Sequence, residues 1–163
     1  MSNKISTKRT FTLKRIVRKF ILHIGSKTPF LKMETRAKIA KIAKIGGVNI
    51  LNPKNTKIGY EVFFDDLNPQ DITVGDKTII TSGTKILSHF ASGDYKDYIF
   101  MERGTVLIGS NVFIGMNVVI AKSLQIGDNA IIGANSVVIC DIPENQIWGG
   151  NPAKFIRYRG GVR

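Results

Sequence analysis

The sequence predicts an all-β solenoid, a stack of short strands joined by tight corners, and three observations carry that prediction. Every sixth residue from Ile108 to Val138 is a branched aliphatic: Ile108, Ile114, Ile120, Ile126, Ile132 and Val138. Four of these six are followed at once by glycine, at Gly109, Gly115, Gly127 and Gly133. The fifth place of each hexad holds Val112, Val118, Leu124, Ala130, Ser136 or Ile142, mostly small or modest side chains that can share an interior. A helix repeats its buried face every 3.6 residues and a strand every 2, so a strict period of six fits neither alone. It fits short strands whose corners each turn one aliphatic inward. A fixed repeat of one short unit marks a solenoid, in which each coil buries its neighbour.

The elements follow in chain order. Residues 1–9 are polar. From Leu13 the apolar residues at 13, 16, 17, 20, 21 and 24 predict an amphipathic helix, with Lys14, Arg15, Arg18 and Lys19 on the other face and Gly25 at its end. A second helix is expected from about Pro29, with Thr28 as N-cap, to about Lys44, where Gly46-Gly47 breaks the pattern. Hexads are expected to begin near Ile45 and Leu51, to slip, to resume at Ile58 and Phe64, to slip again, and to continue through Val74, Ile80 and Ile86. Residues 90–105 interrupt the repeat with a polar, aromatic-bearing excursion, which in a compact repeat points to function. The pattern reads as about five coils of three strands, with this loop between the third and fourth. It ends at Asp141-Ile142-Pro143, before Gly150-Asn151-Pro152-Ala153-Lys154 and a basic tail. The organisation is thus a basic helical segment over 1–44, a solenoid over 45–148 and a tail over 149–163.

At 163 residues the chain is large enough for one domain with a continuous core. The lone cysteine, Cys140, excludes an internal disulfide framework, fits a reducing cytosol, and reads as a packing residue. No signal peptide and no membrane span is expected. The net charge of +12 suggests nucleic acid until its distribution is read. Residues 1–45 hold thirteen of the 24 Lys and Arg and one acidic residue, whereas the rest holds eleven of each sign. The solenoid is neutral, offers no aromatic and basic platform, and is not expected to bind nucleic acid.

The runs Ile-Gly-Ser-Asn-Val-Phe-Ile-Gly-Met-Asn-Val-Val-Ile (108–120) and Ile-Gly-Asp-Asn-Ala-Ile-Ile-Gly-Ala-Asn-Ser-Val-Val (126–138) resemble the hexapeptide-repeat acyltransferases. The ending Asp141-Ile-Pro with Gly150-Asn-Pro-Ala-Lys154 resembles the closing motif of their acetyl-CoA-dependent branch, which includes galactoside, maltose, streptogramin and capsular-sugar O-acetyltransferases. The resemblance covers roughly residues 45–157. It implies a left-handed parallel β-helix, a homotrimer with active sites between subunits, and acetyl-CoA lying along the coils.

Acetyl transfer to a hydroxyl requires the acceptor proton to leave as the oxygen attacks, a task suited to a positioned imidazole. The chain has two histidines. His23 lies in the basic helix and reads as a surface or helix-end residue. His89 ends Ile86-Leu-Ser-His, opens the long loop, and matches the family's catalytic position, which makes it the expected general base. Its second nitrogen needs an orienting partner. The candidates are a backbone carbonyl or a carboxylate: Asp65 and Asp66 after the Val62-Phe63-Phe64 strand, or Asp94 in the loop. The plain reading of each is a solvated turn carboxylate, and Asp65 is placed ahead of Asp94 because loop carboxylates are usually solvated. The family's cofactor contacts map onto Met116 and Ala134, with Phe113 where relatives often carry Trp, and Lys154 and Arg157 in the basic positions for phosphate. Many relatives have Thr-Lys before the Asp-Ile-Pro; Ile139-Cys140 stands here, so one phosphate-facing cation is missing.

The basic N-terminus has two compatible readings. Its helix caps the open end of the β-helix, and residues 8–44 attach the protein to an anionic membrane face, at about 1 kcal/mol per basic residue near the lipid. The second places a cytoplasmic enzyme at the inner face of the membrane. The expected activity is acetyl-CoA-dependent O-acetylation of a sugar in capsule, lipopolysaccharide or exopolysaccharide biosynthesis. Alternatives are N-acetylation of a nucleotide-linked amino sugar, O-acetylation of an antibiotic, and a non-catalytic scaffold. A γ-type carbonic anhydrase would need three histidines per zinc, which two in the whole chain cannot supply, so no metal is expected.

Overall fold

Each hexad makes a two- or three-residue strand with one aliphatic turned in, and three hexads close one triangular coil. The computed structural model describes residues 33–92 and 100–160. The first expected helix, and the second before Met33, lie outside them.

Helix α1 (Met33–Ile45) precedes the coils. The first coil contains β1 (Asn49–Ile50), β2 (Lys57–Ile58) and β3 (Phe63–Phe64). After a 3-10 turn at Pro69–Asp71 the second contains β4 (Ile72–Val74), β5 (Ile79–Ile80) and β6 (Lys85–Ile86). An antiparallel hairpin follows, β7 (His89–Ser92) with β8 (Phe100–Arg103). The third coil is β9 (Val106–Ile108), β10 (Phe113–Ile114) and β11 (Val119–Ile120). The fourth is β12 (Leu124–Ile126), β13 (Ile131–Ile132) and β14 (Val137–Val138). A partial fifth runs from a bridge at Ile142 to β15 (Gln146–Gly149), and β16 (Lys154–Tyr158) returns antiparallel along β15.

The coils stack in register into three parallel walls, ordered β1-β4-β9-β12, β2-β5-β10-β13-β15-β16 and β3-β6-β11-β14. The molecule is a left-handed parallel β-helix. Backbone hydrogen bonds run along its axis from coil to coil: Gly59 N–H to Ile80 O at 2.7 Å, Thr81 N–H to Ile114 O at 3.0 Å, and Gly115 N–H to Ile132 O at 2.9 Å.

The six aliphatics of the regular block, Ile108 to Val138, are all buried, and so are all six fifth-place residues. Where a fifth place is polar, its hydroxyl is bonded: Ser136 donates to Gly133 O at 2.6 Å and accepts from Gly150 N–H at 3.1 Å, as buried polar groups require. Five corner asparagines take the left-handed conformation that the tight corner demands, with φ of 55° at Asn111, 56° at Asn117, 61° at Asn129, 59° at Asn135 and 58° at Asn145. The corner glycines answer to stacking: a Cβ on Gly115 would lie 2.5 Å from the Ala134 nitrogen of the next coil.

Both ends are closed. Ile39, Ala40 and Ala43 of α1 are buried, and the helix packs on β1 and β2. The helix on this end is the second of the two expected; the amphipathic helix from Leu13, of which the capping role is expected, lies outside the described residues. At the other end Arg159 N–H donates to Asn145 O at 2.7 Å, and its guanidinium bonds Asn111 O at 2.9 Å and Asn129 O at 3.0 Å.

Four expectations need correction. Ile45 and Leu51 do not open the first hexads: they are 67% and 59% exposed, and Ile50 is buried instead. Ile45 is the last residue of α1, and the strand alternation that turns Ile50 inward turns Leu51 out. With the first coil starting at β1, the long excursion leaves between the second and third coils. Its ends are not loop but the paired strands of the hairpin. Cys140 does not pack: two residues past the inward Val138, at a corner, it is exposed.

Candidate active site

Two excursions leave the same corner, between the third wall and the first, on successive coils. Residues 65–71 lead from β3 to β4, and residues 87–105 lead from β6 to β9. Stacking puts Asp65 of the first beneath Ser88 and His89 of the second, where Asp65 N–H donates to Ile86 O at 2.9 Å as one rung of the axial ladder.

Asp65 is fully buried. One carboxylate oxygen, Oδ2, accepts from Ser88 N–H at 2.9 Å, Ser88 Oγ at 3.2 Å and His89 N–H at 3.0 Å, and is in close contact with His89 Nδ1. The other, Oδ1, accepts from Leu67 N–H at 3.0 Å. Burial of a carboxylate is tolerable when donors surround it in this way. A carboxylate only accepts, so Nδ1 carries the imidazole hydrogen and Nε2 carries the lone pair. The imidazole is 23% exposed, held from the protein side through Nδ1. That arrangement suits a general base whose tautomer and ring plane are set in advance.

Of the three carboxylates considered from the sequence, the structure brings Asp65 to the imidazole. Asp66 is half-buried one residue further on. Asp94 lies outside the described residues. The buried Asp65 contacts the His89 ring, the Ser88 hydroxyl and backbone N–H groups. Ser88, also fully buried, was missed. Its only sequence signal is its place before His89, and nothing in a linear reading sets it over a carboxylate 23 residues earlier.

The residues mapped to the cofactor gather elsewhere. Met116 and Ala134 are exposed and stacked at the corner between the second and third walls, where Asn135 N–H donates to Met116 O at 2.8 Å. Phe113 points out from the second wall between Ile79 and Ile131, 40% exposed. Lys154 and Arg157 are exposed on β16, at the end of the same wall. Beside them Trp148, Phe155 and Tyr158 form edge-to-face pairs with centroids 6.4 and 5.1 Å apart. Within one chain the third wall separates this surface from His89. Among the described residues no group of three or more His, Cys, Asp or Glu is placed to hold a metal.

Comparison with known proteins agrees with this geometry. The family model described as bacterial transferase hexapeptide (six repeats) matches residues 105–140. YvoF of Bacillus subtilis (strain 168), a protein named as an acetyltransferase, is 34% identical over 148 residues, covering 82% of each chain. Among solved structures, a maltose O-acetyltransferase from Clostridium difficile 630 is 26% identical with a TM-score of 0.63, covering 91% of this chain and 87% of that one. The polySia-specific acetyltransferase NeuO is 28% identical with a TM-score of 0.55, covering 66% of this chain and 51% of that one. A repeat of six that builds three walls, an imidazole at the corner where the repeat is interrupted, and these likenesses in sequence and structure lead to one conclusion: the chain belongs to the hexapeptide-repeat acetyltransferase family.

Proposed function

We propose that the protein transfers the acetyl group of acetyl-CoA to a hydroxyl of a sugar acceptor in the biosynthesis of a capsule, lipopolysaccharide or exopolysaccharide, with His89 as general base. The observation that carries this reading is the buried Asp65 held against His89 Nδ1. Nε2 takes the acceptor hydroxyl proton as that oxygen attacks the thioester carbonyl. The tetrahedral intermediate collapses with cleavage of the C–S bond, and the imidazolium returns the proton to the departing CoA thiolate. Asp65 stabilises the imidazolium in between without taking a proton itself. The kinship with a protein named maltose O-acetyltransferase supports a sugar hydroxyl as acceptor.

Acetyl-CoA enters as co-substrate along Phe113, Met116 and Ala134, with Lys154 and Arg157 meeting its phosphates. These residues lie on a different corner from His89, so a complete site needs two copies side by side, which a homotrimer supplies. With Ile139-Cys140 in place of a cation-bearing pair, phosphate recognition rests on β16. The enzyme works in the cytoplasm, and residues 8–44 bring it to the anionic inner face of the membrane, where a lipid-linked sugar is presented.

The test is His89→Ala, with circular dichroism to show that the coils persist. Acetyl transfer should fall by about 10²–10⁴-fold. Transfer at the parent rate would rule out His89. Acceptor profiling with amino sugars alongside neutral sugars separates N- from O-acetylation.

A further inference from the structure

The two excursions that supply Asp65 and His89 are tied a second time. Asp71 ends the 3-10 turn at the far foot of the first excursion, just before β4. Arg103 ends β8 at the far foot of the second and pairs in register with His89 across the hairpin. Arg103 Nε donates to Asp71 Oδ2 at 2.5 Å and Nη2 donates to Oδ1 at 2.7 Å, a two-pronged bond. Asp71's hydrogen bonds, and then its charge, push the Arg103 guanidinium above its ordinary pKa. Arg103 is half exposed, whereas Asp71 is largely covered.

Further hydrogen bonds anchor the base of the hairpin. Gly104 N–H donates to Ser88 O at 2.7 Å, and Thr105 and Ser123 exchange bonds of 3.0 Å. The Asp65–His89 contact joins the roots of the two excursions, and the Asp71–Arg103 pair joins their feet. Together they close a frame whose near side is the imidazole. A half-exposed ion pair adds little to global stability, so a forked one across these two segments has its effect on where the hairpin sits. Two parallel bonds fix an angle, which a point charge does not.

We infer that Arg103 and Asp71 are positioning residues for His89: their forked ion pair sets the hairpin that begins at His89, and thereby holds the imidazole against Asp65. The catalytic consequence rests on the reading of His89 as base; the geometric one does not.

The experiment uses Arg103→Met, Asp71→Asn and Arg103→Lys in the full chain, with two independent readouts. The first is kinetic. Both neutralising variants should lower kcat by about tenfold, the scale of a small misplacement of a reacting group, with KM for acetyl-CoA unchanged. The midpoint of thermal unfolding should stay within about 2 °C. Arg103→Lys keeps the charge without the fork and should fall between parent and Arg103→Met. The second is proton NMR of the His89 ring, in which the Nδ1–H resonance should exchange with water faster in Arg103→Met than in the parent. Parent values of both kcat and ring exchange in both neutralising variants would overturn the inference. So would a fall in kcat with ring exchange unchanged, since Arg103 would then act on something other than the imidazole. If His89→Ala transfers acetyl at the parent rate, the base assignment fails, and ring exchange alone decides the positioning claim.

Discussion

Asp65 is the residue on which the site's local chemistry turns, because it serves as both structural acceptor and orienting carboxylate. Four donors meet its Oδ2 and one meets Oδ1. Replacing it by asparagine keeps the shape and exchanges one acceptor oxygen for an NH₂ that faces other donors. Asp65→Asn should therefore cost about 1–3 kcal/mol of stability, read as a shift in denaturant midpoint. Transfer should fall by roughly 10²–10⁴-fold through loss of the Nδ1–H tautomer and of imidazolium stabilisation, read by single-turnover kinetics on folded protein. Unfolding without loss of single-turnover rate in the remaining folded fraction would mean that the carboxylate is only a strut. The sequence made His89 legible, since it is one of two histidines and stands where the repeat fails. It placed Asp65 ahead of Asp94, a loop carboxylate, but did not separate Asp65 from its neighbour Asp66. The distinction depends on which side chain turns into the corner, and stacking decides that across 24 residues of chain.

At the scale of the element, the corners carry as much information as the strands. Asn111 Nδ2 donates to Asn129 Oδ1 at 2.8 Å, and Asn129 Nδ2 to Asn145 Oδ1 at 3.0 Å, so three left-handed residues also form a side-chain ladder up one corner. Asn129→Ala should lose about 1–2 kcal/mol from the left-handed backbone alone, more with its ladder bonds, whereas Asn129→Gly should relieve the backbone part. Urea melts of the two variants measure the difference. If alanine and glycine cost the same, the ladder and not the backbone carries the corner. The walls were legible from the period because each two-residue strand contributes one inward apolar side chain, and Ile58, Phe64, Val74, Ile80 and Ile86 are buried where expected. The start of the first coil was not, because Ile45 satisfies a hexad and a helix equally well and only packing separates them. The hairpin escaped notice for a related reason. Among its described side chains, Phe90, Ala91, Met101 and Glu102 lie outside the core, so they show neither the period of six nor a clean alternation.

At the scale of the molecule, His89 and the surface of Phe113, Met116 and Ala134 occupy different corners, which makes the proposed site a property of an assembly. Two inactive variants should then complement each other. His89→Ala supplies an intact cofactor surface, and Met116→Trp, which blocks that surface, supplies an intact base. Denatured and refolded together, they should regain transfer that neither shows alone, because mixed assemblies of the proposed trimer place a good corner beside a good histidine. Mixtures as inactive as their parents would place the whole site within one chain.

The axial hydrogen-bond ladder decides in which direction such an assembly can grow. A stack of parallel coils is a template for another coil, and an open end would invite copies to add indefinitely into a fibre. Here α1 covers β1 and β2 at one end. At the other, the chain runs over each wall in turn: Ile142 bridges to Ile126, Gly150 O accepts from Val137 N–H, and β16 returns along β15 against the direction of every other strand in its wall. A reversed strand offers the next copy the wrong polarity to continue the coil. Among the described residues, growth along the axis is stoppered at both ends, which leaves the flanks of the coils as the faces through which the proposed trimer would close.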